Sequence, residues 1–173
     1  MTVPEIVEQI RLFAHDRTLK PEYIYSCINM ALQDVENRGY YNYQFTKENV
    51  VVQAGQQNIN TTYPILKLIE IKPDADLETY AGGIRLTSPA TETTTYTIKY
   101  FKRHPYFDGA EVNKFIPDDF IYIIGGTYYA TVYLMSPEAP LWAQKFKSQI
   151  EKFYRENAFL LPIETKATDG VVV

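Results

Sequence analysis

The segment PDDFIYIIGGTYYATVYLMSP, residues 117–137, decides how the rest of the chain is read. No charged residue stands between Phe120 and Pro137, which approaches the length needed to span a bilayer. Four tyrosines, two threonines and a glycine pair interrupt that run, and no Lys or Arg flanks it. Burial inside a folded protein is therefore expected, with no membrane contact. Asp118 and Asp119 suit a helix N-terminus, where exposed backbone N–H groups favour negative charge. A helix ending at Ser136-Pro137 follows from this. The same residues also fit a hairpin, 120–124 and 127–134 around a Gly125-Gly126 turn, and the pattern alone leaves both open. A helix apolar on all sides has to be enclosed by its own domain or by a neighbouring subunit.

Working outward, Trp142, Phe146, Ile150, Phe153 and Tyr154 make one stripe of a helix expected over 140–160. Lys145, Lys147, Glu151, Lys152, Arg155 and Glu156 form its solvated side. Residues 161–173 follow as a tail without periodicity, ending in Val171-Val172-Val173. At the other end of the chain, Thr2-Val3-Pro4-Glu5 fits a capping box with proline in the first turn. Val3, Ile6, Val7, Ile10, Phe13 and Ala14 share a face of that helix, which should stop near Asp16. A second helix begins near Pro21, carries Ile24, Cys27, Ile28, Ala31, Leu32 and Val35 inward, and stops at Gly39.

Between the helical pairs the period shortens to two. Tyr41, Tyr43 and Phe45 alternate with polar residues, and Val50 and Val52 continue the pattern. Further strands are expected at 65–71, 83–87 and 94–101, separated by Pro73-Asp74, Gly82-Gly83 and Ser88-Pro89. Residues 104–115 read as a loop. The expected fold is α+β. Two N-terminal and two C-terminal helices, 2–39 and 117–160, pack as one antiparallel bundle. A small antiparallel β-sheet is inserted at 40–104, residues 1–160 form one domain, and 161–173 extend as a tail.

The composition narrows the function classes. A formal charge of −4, from 17 basic and 21 acidic residues, is unlike that of proteins that grip duplex DNA. A single cysteine, Cys27, excludes an intramolecular disulfide and a multi-cysteine zinc site, and its place on the apolar stripe reads as core. The N-terminus shows no basic and apolar leader, so synthesis and folding in the cytosol are expected.

Catalytic patterns are scarce. His15 and His104 stand in no metal or triad spacing; His15 reads as a helix-end residue and His104 as a solvated loop residue. Asp74, Asp76 and Glu78 lack the remaining ligands of a calcium loop and read as an acidic turn. Lys99, Lys102, Arg103 and His104, with Tyr100, Phe101 and Tyr106 among them, form a basic cluster. It reads as a strand end meeting water, with nucleic-acid contact as the alternative. No catalytic, cofactor-binding or metal-binding residue is expected. Fifteen tyrosines, in contrast, suit protein–protein contact, or cross-strand pairing within a small sheet. Tyr41 and Tyr43 are the protein-contact candidates among them.

The order of features resembles the head-to-tail adaptor (connector) family of tailed bacteriophages. The resembling stretches are Ile28-Asn29-Met30-Ala31-Leu32-Gln33-Asp34-Val35, then Tyr40-Tyr41-Asn42-Tyr43-Gln44-Phe45, then Val50-Val51-Val52-Gln53-Ala54-Gly55-Gln56-Gln57. Thr97-Ile98-Lys99-Tyr100-Phe101 and a helix introduced by Ile116-Pro117-Asp118-Asp119 complete the series, which spans residues 2–160. Thr61-Thr62-Tyr63-Pro64 departs from the family, where Tyr followed by Leu-Pro is expected.

The resemblance implies a structural virion protein at the head–tail junction, without enzymatic activity. It would form a homo-oligomeric, dodecameric ring beneath the portal protein, with tail or nozzle proteins below. Genomic DNA would pass through without sequence-specific binding. In that reading Leu161, Pro162, Ile163, Val171, Val172 and Val173 dock onto the portal. The alternatives are another connector subunit (a tail-completion or stopper protein), a small nucleic-acid-binding module around residues 99–104, and a hydrolase using two carboxylates.

Overall fold

The computed structural model describes residues 1–80, 82–108 and 116–159. The chain is α+β, with four helices and two small antiparallel sheets. Helix α1 (Val3–Phe13) and helix α2 (Pro21–Arg38) come first. A 3₁₀ turn (Asn42–Gln44) leads into the strands β1 (Phe45–Val52), β2 (Asn58–Ile59), β3 (Ile65–Lys72), β4 (Leu77–Tyr80), β5 (Gly83–Leu86) and β6 (Thr94–Lys102). Helices α3 (Asp119–Tyr133) and α4 (Ala139–Asn157) follow.

The uncharged segment is a helix, not a hairpin. Asp118 accepts a hydrogen bond from the Phe120 N–H and caps it. Its glycine pair makes a close helix–helix approach: a Cβ on Gly125 would lie 2.5 Å from Ala31 Cβ and 2.7 Å from the Phe146 ring, and one on Gly126 would lie 2.5 Å from Ile10. Helix α3 thus packs against α1, α2 and α4 at once. Three of its polar side chains find partners, two within the helix and one on α2. The Thr127 hydroxyl donates to Ile123 O, that of Thr131 to Tyr128 O, and that of Tyr129 to Asp34. The helices share one apolar core built from Ile6, Ile10, Ile24, Ile28, Leu32, Ile121, Phe146 and Phe153 among others.

Helix α1 begins with the capping box formed by Thr2 and Glu5. It ends at Phe13, slightly before the expected stop. Ala14 caps it, His15 adopts φ 56°, and the Asp16 N–H reaches back to Arg11 O while that of His15 reaches Leu12 O. Helix α3 ends the same way, with Met135 at φ 52° and Ser136 N–H donating to Thr131 O. Both are helix ends closed by a left-handed residue, normally a glycine. Gly39, expected as such a stop for α2, has an extended φ of 162°. It is required because a Cβ there would stand 2.5 Å from the Tyr154 ring.

The insert departs from expectation in two ways. One sheet was expected; there are two of three strands each, ordered β1-β6-β3 and β2-β5-β4. Strands β2 and β4 are too short to show a period. The Tyr41–Phe45 alternation is not a strand: Tyr41 makes an isolated bridge to Ala158, and the 3₁₀ turn intervenes before β1 begins at Phe45. Val52, Ile59, Ile65, Ile84, Leu86, Tyr96, Ile98 and Tyr100 form a second apolar core, to which both sheets contribute.

Candidate interaction surfaces and the helix–sheet junction

The junction between helices and sheet is built on a histidine that sequence reasoning placed in solvent. His104 is 3 % exposed. Its backbone N–H donates to Glu36 Oε1 at 2.7 Å, its Nδ1 lies 3.0 Å from the same oxygen, and its Nε2 lies 2.9 Å from the Tyr43 hydroxyl. With Nδ1–H donating to Glu36, Nε2 is left to accept from the Tyr43 hydroxyl. Burial pushes the Tyr43 phenol well above its ordinary value, so it stays a neutral donor. Glu36 comes from α2, Tyr43 from the 3₁₀ turn, and His104 follows β6. The three tie the helical core to the strands.

A carboxylate, an imidazole and a hydroxyl in series are also the parts of a nucleophilic site. Here the hydroxyl is an un-ionised phenol already committed to the imidazole. The imidazole side chain is 1 % exposed, which leaves a substrate no approach. The arrangement is structural. Other reactive groups are equally placed for packing or solvation. Burial pushes the Cys27 thiol up to about 11. His15 is exposed, 3.6 Å from Glu138. Glu78 pairs with Arg85 while Asp74 and Asp76 face solvent. Among the described residues, no three His, Cys, Asp or Glu side chains gather to hold a metal.

The basic cluster at 99–104 does not exist as a surface. Lys99 pairs with Glu70, Lys102 lies over the Tyr63 ring, Arg103 lines a cleft with Gln33, Glu36 and Asn37, and His104 is buried.

Tyr41, a protein-contact candidate, is 0 % exposed. Its hydroxyl donates to Val35 O, and its ring packs on Tyr43, Phe153 and Tyr154. Tyr43 is partly buried and holds His104. In this fold both serve the junction, and Tyr41 offers a partner no surface. Leu161, Pro162, Ile163, Val171, Val172 and Val173 lie outside the described residues. The chain approaches them from the junction. Ala158 bridges Tyr41, Phe159 N–H donates to Tyr40 O at 2.8 Å, and the Phe159 ring packs on Phe45 and Phe101.

The opposite end of the helices carries a feature that sequence reasoning missed. Leu12 and Phe13 end α1, Tyr23 lies in the first turn of α2, Val132 and Tyr133 end α3, Met135 follows it, and Leu141 lies in the first turn of α4; all seven are exposed, Met135 by 92 %. Two ring contacts run between these helix ends. Tyr23 stacks on Tyr133 at 5.4 Å, and Phe13 meets Trp142 at 5.5 Å. Exposed apolar groups gathered at one place mark an association surface more often than a free one. No protein-family model matches the chain, and no curated protein matches it.

Proposed function

We propose that this chain is a non-enzymatic assembly subunit, a head-to-tail adaptor of a tailed bacteriophage. The motif order over residues 2–160 supports the reading. The observation that carries it structurally is the exposed apolar end formed by Leu12, Phe13, Tyr23, Val132, Tyr133, Met135 and Leu141. In this reading the four helices are an antiparallel bundle forming the body of a dodecameric ring, and their apolar end packs against the neighbouring copy. The ring sits in the virion beneath the portal protein, above tail or nozzle proteins, and extends the channel for DNA.

Residues 161–173 would reach the portal, with Leu161, Pro162, Ile163 and Val171 to Val173 as docking groups. Phe159, fixed at the helix–sheet junction, sets where that segment starts.

Capture by the immobilised portal protein of the same phage tests this. The full chain should be retained. A variant ending at Leu160, with unchanged circular dichroism and melting, should be lost. Equal capture of both removes the docking role of the tail. No capture of the full chain moves the subunit to another level of the connector.

A further inference from the structure

The register of the β1-β6-β3 sheet assembles a basic face from residues far apart in sequence. Lys47 on β1 stands opposite Lys99 on β6, Lys67 on β3 opposite Phe101, and Lys72 opposite Thr97. Residues paired across strands share a face, so all four lysines point to the outer side. The Glu70 contacts to Lys72 and Lys99, the Thr97 hydrogen bond to Asn49 and the Lys67 ammonium over Tyr40 agree with that side. The inner side carries Ile98, Tyr100, Leu68 and Ile71 into the sheet core.

Among the described residues of these three strands, Glu70 is the one carboxylate on this face, leaving its lysines three positive charges in excess on a protein of net charge −4; beyond the end of β3, Asp74 is the further acid that acts on Lys72. Among the described residues, Lys47 and Lys67 have no carboxylate within ion-pair distance. Like charges directly opposite, as at Lys47 and Lys99, destabilise a sheet, so the fold itself does not call for them.

The chemistry separates two kinds of polyanion. Centres of protein interfaces are rich in Arg and aromatic residues and poor in Lys. The open part of this face carries lysines among Asn49, Thr95 and Thr97 with one exposed apolar residue, Val51, while at its other end Phe45 and Phe101 pack beneath Tyr40 and Phe159. Lysine is a point charge that suits phosphate without demanding a fixed geometry. From Lys67 to Lys72 the face runs about 14 Å along the strand, against one duplex charge per ~1.7 Å of axis.

We infer that the outer face of the β1-β6-β3 sheet is a sequence-independent contact surface for the phosphate backbone of duplex DNA. The assignment goes beyond the adaptor reading and stands without the portal.

Fluorescence anisotropy of a labelled mixed-sequence duplex with the full chain tests it. Three neutralised phosphates predict about 40-fold weaker binding on going from about 50 to about 200 mM salt. Lys47→Gln/Lys67→Gln/Lys72→Gln should weaken binding at least about tenfold and flatten the salt slope. Lys145→Gln/Lys147→Gln/Lys152→Gln on α4, with the same change in net charge, should bind as the parent does. The inference is overturned by no anisotropy change at the lower salt, by equal binding of the sheet variant, or by equal losses in both variants. It is also overturned if polyglutamate of matched charge competes as well as unlabelled duplex, which would assign the face to an acidic protein.

Discussion

Gly125 of α3 meets Ala31 of α2 so closely that a Cβ on Gly125 would stand 2.5 Å from the Ala31 Cβ. Neither atom sits at the end of a flexible chain, so neither can swing aside, and the Phe146 ring blocks the other direction at 2.7 Å. Three helices converge on α3 because this glycine pair lets them.

Gly125→Ala should therefore destabilise the protein by about 1–2 kcal/mol in urea denaturation. Overpacking costs about 1–3 kcal/mol, partly offset by up to ~1 kcal/mol of helix propensity. Adding Ala31→Gly should recover part of the loss. A Gly125→Ala variant as stable as the parent would show that the helices are not packed this way.

Glu36→Ala removes the acceptor for both the backbone N–H and the Nδ1 of buried His104. Leaving such donors unsatisfied costs about 1–3 kcal/mol each when they stay buried. A fall of about 2–3 kcal/mol is expected, larger than that of Glu36→Gln, which keeps an acceptor oxygen.

Met135→Gly should raise the melting temperature. A side chain at φ 52° costs roughly 1 kcal/mol relative to glycine, and Met135, 92 % exposed, gives up almost no packing in the isolated subunit. The same variant should assemble less well if the apolar end is a contact between copies. Higher stability together with unchanged assembly would move the contact elsewhere.

The Lys72 and Lys99 ammonium groups hold the Glu70 carboxyl down to about 2, from an ordinary 4.5. A carboxyl lowered in the folded state contributes stability that is complete above 4.5 and lost as the pH falls toward 2. Glu70→Gln should flatten the stability–pH curve in that window and leave it unchanged at neutral pH apart from an offset.

Cys27, buried on α2 with its thiol pushed up to about 11, should react with a disulfide reagent at neutral pH only as fast as the protein unfolds. Fast labelling of the native protein would contradict its placement in the core.

The local devices of this fold were legible in the sequence. The Thr2–Glu5 capping box, the α2 stripe and the spans of β3, β5 and β6 follow from spacing and side-chain chemistry. What depends on distant partners was not. His104 is buried because Glu36 and Tyr43 arrive from 68 and 61 residues away, and nothing near it in sequence announces them. Tyr41 alternates like a strand residue yet is claimed by Phe153 and Tyr154 of α4. The four lysines of the sheet face belong to three strands and are united only by register, whereas the contiguous 99–104 cluster is dispersed by it. Of the apolar helix ends only Phe13 looked like an ordinary core position, because it continues the α1 stripe.

Mass photometry of the full chain mixed with the portal protein from its own genome tests the proposed adaptor role most directly. The account predicts a stoichiometric complex, seen in negative stain as an added ring beneath the portal. Free portal and free subunit side by side at micromolar concentration would contradict it.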